Sequence, residues 1–160
     1  MPIRLQVSIA RQQLQLLDDG RLVQTFPIST AVAGVGERNG SGATPRGRHF
    51  IRACIGAGQP SGAVFVARRP TGEVYTDVLA QTFPERDWIL SRILWLCGCE
   101  PGRNRGGQVD TQRRYIYIHG TPDTEPMGVP LSHGCIRMRN ADVIELFDRV
   151  MPGTIVQIDE

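Results

Sequence analysis

The chain has 160 residues, enough for one domain with a substantial buried core, and 41% of them are hydrophobic, which argues against disorder. Its formal net charge of +2 leaves no strong electrostatic footprint for nucleic acid or a membrane surface. All 18 basic residues are arginine, so chemistry that needs a P-loop lysine or a Schiff-base lysine is excluded, while the planar guanidinium fork suits carboxylate ligands.

In chain order, residues 1–9 alternate apolar and polar side chains as a first strand does, and Gln13-Leu14-Gln15-Leu16-Leu17 ahead of Asp18-Asp19-Gly20 predicts a hairpin. No basic n-region, apolar h-region and small-residue cleavage site precede that strand. No run approaches the roughly 20 apolar residues of a membrane span. The expectation is a cytoplasmic protein, or a periplasmic one if a leader has been removed. Residues 31–48 are rich in glycine but complete neither a dinucleotide nor a P-loop pattern, which predicts a flexible loop beside the functional site. Residues 63–67 (Ala-Val-Phe-Val-Ala) predict a buried strand. Residues 86–97, with Trp88, Ile89, Leu90, Ile93, Leu94 and Trp95, predict a short helix or an apolar flap. A basic, glycine-containing loop follows, from Arg103 to Arg113 and Arg114. It is either a cover for the pocket that binds anionic groups or a solvated surface loop.

Tyr115-Ile116-Tyr117-Ile118 is an aromatic and β-branched run, which predicts a strand delivering His119 at its end, where Gly120-Thr121-Pro122-Asp123 turns into a loop. Ser132-His133-Gly134-Cys135-Ile136-Arg137-Met138 then places a thiol beside an imidazole and a glycine. A cysteine attacks an acyl carbon as thiolate, so it needs a neighbouring base or an electropositive setting, and His119 and His133 are the candidates for that base. Gly134 lacks a Cβ, so the backbone can turn sharply and aim amide N–H groups at a developing oxyanion. Asn140 is expected to cap a helix carrying Val143, Ile144, Leu146, Phe147 and Val150, ended by Pro152-Gly153. The alternating segment 154–158 predicts a closing strand.

The cysteines are Cys54, Cys97, Cys99 and Cys135. With Cys135 required as a free thiol, the other three cannot all pair, so a disulfide framework is not expected. The one-residue spacing of Cys97-Gly98-Cys99 is wrong for a metal or redox pair, and no metal and no cofactor is expected.

These blocks resemble the YkuD domain, the catalytic domain of L,D-transpeptidases that act on peptidoglycan stem peptides. The resemblance rests on Ile118-His119-Gly120-Thr121, on the stretch from Ser132 to Met138, on Asn140-Ala141-Asp142 and on Gly153-Thr154-Ile155-Val156-Gln157-Ile158. An earlier element, Ser29-Thr30 with Thr44-Pro45-Arg46-Gly47-Arg48-His49-Phe50, matches as well. The segment between His119 and Ser132 is slightly shorter than is common in the family, and Arg137 stands where many members have asparagine. The resemblance implies a mainly β fold, a YkuD-like β-sandwich with one clear helix after the catalytic cysteine, in a single domain over residues 1–160.

It also implies a mechanism. Cys135 would attack the meso-diaminopimelate carbonyl of an L,D-linked tetrapeptide, expel D-alanine and form a thioester. His119 would be the base, its ring oriented by the Gly120 carbonyl. His133 would support the site by hydrogen bonding, and amides near Gly134 and Cys135 would hold the oxyanion. Ser132, Arg137, Arg113 and Arg114 are expected to bind substrate, with Arg137 alternatively bracing the Cys135 loop. The expected partners are a peptidoglycan tetrapeptide or muropeptide, and a carbapenem as covalent inhibitor. Hydrolysis by a cytoplasmic L,D-carboxypeptidase in murein recycling is the leading expectation. The alternatives are an L,D-transpeptidase that forms 3-3 cross-links or anchors lipoprotein, and a non-catalytic muropeptide-binding module, against which the joint retention of Cys135, His119 and His133 argues.

Overall fold

The computed structural model describes residues 2–160. The N-terminal alternation forms β1 (Ile3–Ser8), which pairs antiparallel with β2 (Gln13–Asp18), which in turn pairs with β3 (Arg21–Pro27). Asp19 and Gly20, both at positive φ, make the β2–β3 turn, as the Asp-Asp-Gly sequence requires. The remaining strands are β4 (Gly47–Ile55), β5 (Ala63–Val66), β6 (Arg69–Val74), β7 (Ile89–Gly98), β8 (Tyr117–Thr121), β9 (Ile136–Arg139) and β10 (Ile155–Asp159). Among the described residues two α-helices interrupt them, α1 (Asp77–Thr82) and α2 (Asn140–Phe147), beside a single 3-10 turn at Gly107–Val109. Among the described residues no helix is long and apolar enough to cross a membrane.

All ten strands belong to one sheet, in the order β3-β2-β1-β10-β4-β7-β5-β6, with β8 on β7 and β9 on β8. Leu90 of β7 pairs with both Val64 of β5 and Gly120 of β8, and Ile93 with both Ile55 of β4 and His119 of β8. Strands β4 and β5 therefore follow one another along one edge of β7 while β8 takes the other. Beyond β3, Ser29 exchanges two backbone hydrogen bonds of 2.9 Å with Arg137 of β9, so the two ends of the curled sheet meet. The sandwich is thus one continuous sheet folded back on itself. Its interior holds Leu5, Val7, Leu14, Leu16, Phe26, Ile51, Leu94, Leu96, Ile118, Met138, Val156 and Ile158, with Val143 and Leu146 of α2 packed among them.

Period-two alternation then decides what lies outside. In β7, in β8 and at the residue before it, Leu94, Leu96, Ile116 and Ile118 face the core, while Ile93 and Tyr117 join Ala63 and Phe65 in a second, smaller cluster on the outer face, with Cys135 packed against it. His119, two residues on from Tyr117, belongs to that outer face.

Three sequence expectations need correction. Residues 86–97 are neither helix nor flap: most of them form β7, the strand that binds β4, β5 and β8. Strand β8 begins at Tyr117 and continues through Thr121, so His119 lies at its middle and not its end. Asn140 is the first residue of α2 and Arg139 is the N-cap, because the Asn140 side chain is engaged elsewhere, bonding Ser91 Oγ (2.6 Å), the Thr121 carbonyl (3.0 Å) and Asp123 (3.2 Å). Beside the expected helix there is also the short, wholly unburied α1, capped by Thr76 Oγ1, which accepts the Leu79 N–H.

Candidate active site

A cavity of about 520 Å³ opens on the outer face of β7, β8 and β9, beneath the hairpin formed by β5 and β6. His119, Cys135, Arg137 and Tyr117 line it together with Arg68, Asp87, Arg114 and Tyr115. The parallel register of β8 and β9 sets His119 directly beside Arg137. One strand pair thus delivers imidazole and guanidinium side by side.

The loop carrying the thiol is held from within. Ser132, fully buried, donates its hydroxyl to the Cys135 carbonyl at 2.5 Å and accepts the Gly134 N–H at 3.2 Å. Thr44 Oγ1 donates to the Gly134 carbonyl at 2.9 Å and accepts the Ala31 N–H, and Ser132 N–H donates to Thr30. These bonds explain why the Ser29-Thr30 and Thr44 blocks accompany the cysteine motif: they form the scaffold of its loop. Gly134 adopts φ +134, and a Cβ there would press on Ile116 and the Ala43 carbonyl. Only glycine fits that turn without strain.

Cys135 Sγ lies 3.4 Å from the Tyr115 carbonyl, to which the thiol donates, and accepts the Tyr117 N–H at 3.3 Å. Tyr115 holds φ +56, an uncommon conformation for an aromatic residue, and this aims its carbonyl at the thiol. Burial pushes the thiol up to about 12, against the smaller opposing pull of the Tyr117 N–H. His119 is buried, and its Nδ1–H donates to the Gly120 carbonyl at 2.6 Å, which leaves Nε2 as the acceptor. Desolvation holds this imidazole below its ordinary pKa even though that hydrogen bond favours protonation. Both shifts favour a neutral thiol and a neutral imidazole, the starting point for general-base activation.

The other expected residues divide. Arg137 is nearly buried on the cavity wall, 3.6 Å from Asp87. Arg114 reaches the cavity, but its guanidinium donates to the carbonyls of Gly36 (3.2 Å) and Ala43 (2.6 Å), so it fastens the glycine-rich segment to the site. Arg113 is exposed and lines a separate depression with Cys97, Arg105 and Asp110; it does not join the cavity. The ring of His133 is exposed at the rim and makes no hydrogen bond among the described residues, so the bracing expected of it falls to Ser132 and Thr44. Of the two amides expected at the oxyanion, that of Gly134 is spent on Ser132, which leaves the Cys135 N–H. Sequence reasoning missed Tyr117, which the alternation from His119 would have found, and Arg68 and Asp87, for which the chain carries no local signal.

The match to known families decides the assignment: residues 2–158 fit the YkuD L,D-transpeptidase catalytic domain. The chain belongs to that family. The YkuD protein of Bacillus licheniformis is 29% identical over 159 residues, covering 99% of this chain and 66% of the relative. That of Bacillus subtilis is 27% identical, covering 99% and 67%. Solved structures show the YkuD fold again at low identity. L,D-transpeptidase 3 from Mycobacterium tuberculosis, bound to a faropenem-derived adduct, matches with a TM-score of 0.61 at 16% identity, covering 99% of this chain and 60% of that one. LdtMt1 in complex with imipenem matches with 0.57 at 17%, covering 99% and 59%. This YkuD chain thus spans about two thirds of the length of these two Bacillus relatives.

Proposed function

We propose that this YkuD domain catalyses cysteine-dependent acyl transfer on peptidoglycan stem tetrapeptides, with water as the acceptor. The observation that carries the reading is that Cys135 and a His119 whose Nδ1 is fixed on Gly120 line one cavity. Nε2 of His119 takes the thiol proton as Sγ bonds to the carbonyl carbon of meso-diaminopimelate. The C–N bond to D-alanine breaks and the same proton passes to the leaving amine. The Cys135 N–H stabilises the oxyanion. Water then cleaves the thioester, its proton going to His119 and on to Sγ, and the tripeptide leaves.

Water is the acceptor in this reading because it is present at about 55 M, whereas an amine competes only when a dedicated site gives it a high effective molarity. A cytoplasmic L,D-carboxypeptidase role in murein recycling follows as part of the same proposal. Cross-linking is the second reading, favoured by the transpeptidase names of the relatives. Incubation with a disaccharide tetrapeptide, read by mass, separates them: loss of one alanine by hydrolysis is expected. Cross-linked dimers as the main product would overturn the choice of acceptor, and fractionation of native cells tests the compartment.

A further inference from the structure

We propose that Arg68, at the tip of the β5–β6 hairpin, is a carboxylate-recognition residue for the substrate; this rests on the acyl-transfer reading and deepens it. Three arginines line the cavity, and two are already committed, Arg137 to Asp87 and Arg114 to backbone carbonyls. Arg68 forms no salt bridge among the described residues. One of its nitrogens, Nη1, donates to Tyr117 Oη at 3.0 Å, and its guanidinium carbon lies 4.9 Å from the centroid of Trp95 and 4.8 Å from that of Tyr115. Two aromatic rings and a phenol therefore hold the cation in place, while its other N–H groups have no partner among the described residues. A planar fork held in this way loses little conformational entropy on meeting a carboxylate.

The position relative to the thiol is also defined. Tyr117 gives its backbone N–H to Cys135 Sγ and its hydroxyl to Arg68, so the cation stands one tyrosine side chain away from the nucleophile. The hairpin reaches that position at a conformational cost. Ala67 and Arg68 both adopt positive φ (+48 and +63) in a two-residue turn where asparagine and glycine are the residues without penalty. A strained arginine aimed into a catalytic cavity, without an acid to pair with, fits an anionic group of the ligand. On a stem tetrapeptide that group is a carboxylate close to the scissile amide. It is either the terminal carboxylate of the leaving residue or the free carboxylate of the diaminopimelate side chain.

The test compares wild type with Arg68→Gln and Arg68→Lys on three substrates: the tetrapeptide, its terminal amide, and the tetrapeptide amidated on the diaminopimelate side chain. Alkylation of Cys135 by iodoacetamide reports the integrity of the site. Arg68→Gln is expected to raise KM for the tetrapeptide about tenfold, with Arg68→Lys recovering only part and alkylation unchanged. The penalty is expected to vanish on one amidated substrate, which identifies the carboxylate. An equal penalty on all three substrates, an unchanged KM, or slowed alkylation would overturn the role. No turnover of tetrapeptide by the wild type would instead overturn the functional reading itself, and this inference with it.

Discussion

The chemistry is decided at a few atoms. Because Nδ1 of His119 is tied to the Gly120 carbonyl, its Nε2 is the acceptor on this imidazole, whereas His133 stands exposed and has no hydrogen bond among the described residues. His119→Ala is expected to lower turnover by about 10²–10⁴, and His133→Ala by less than tenfold. The reverse ranking in steady-state rates would exchange their roles. The half-buried thiol adds a pH signature. With its pKa pushed up to about 12, the thiolate fraction grows across the whole accessible range, so alkylation of Cys135 should rise roughly tenfold per pH unit from pH 7 to 9. A plateau below pH 7 would show a thiolate–imidazolium pair instead. Sequence made Cys135 and its two candidate bases, His119 and His133, legible, since residue types and spacing carry that information, and the structure brings all three to one cavity. Sequence did not reveal Arg113 turning away from the cavity or Arg68 entering it, because which arginine reaches a cavity depends on hairpin and loop geometry that no local pattern encodes.

Alternation was readable in some of the elements that turn one face to solvent, though not in β4, whose alternating residues carried no strand expectation. Strands β1, β2 and β10 show it plainly and fall where the sequence places them. Strand β7 is buried on both faces, so apart from Ser91 and Arg92 its residues are apolar without alternation, a pattern that periodicity cannot tell from a helix segment. A bulge adds to the difficulty. Ser91 sits at φ +72 between the paired Leu90 and Ile93, with its hydroxyl on Asn140. That same crossing of β7, β8 and α2 leaves no room at Gly120, where an added Cβ would lie 2.5 Å from both the Leu90 carbonyl and Asn140 Oδ1. Gly120→Ala is expected to destabilise the fold by at least about 1–3 kcal/mol, read as a lowered urea midpoint. An unchanged midpoint would mean that the strands part easily there.

For the whole molecule, closure of the sheet links distant segments, and His49 is one of the links. It is buried in β4, its ring bonded to the Gly47 carbonyl (3.0 Å) and to Thr111 Oγ1 (2.9 Å) in the segment that leads into β8. Burial lowers its pKa to about 4, against an ordinary value near 6.5. A depressed folded-state pKa contributes stability above pH 6.5 that is lost as pH falls toward 4, amounting to about 2 kcal/mol by pH 5. Carboxylates titrate mostly below that window. Urea unfolding between pH 7 and 5 should show this decline in the wild type and a flatter profile in His49→Gln; parallel profiles would remove His49 from the account. The closed sheet, the buttressed cysteine loop and the outward-facing His119 are the setting of the proposal that Cys135 is the acyl-accepting nucleophile. Intact-protein mass after incubation with a carbapenem tests it most directly. One covalent adduct is expected on the wild type and none on Cys135→Ala, whereas an equal adduct on that variant would move the chemistry to Cys54, Cys97 or Cys99 and contradict the assignment.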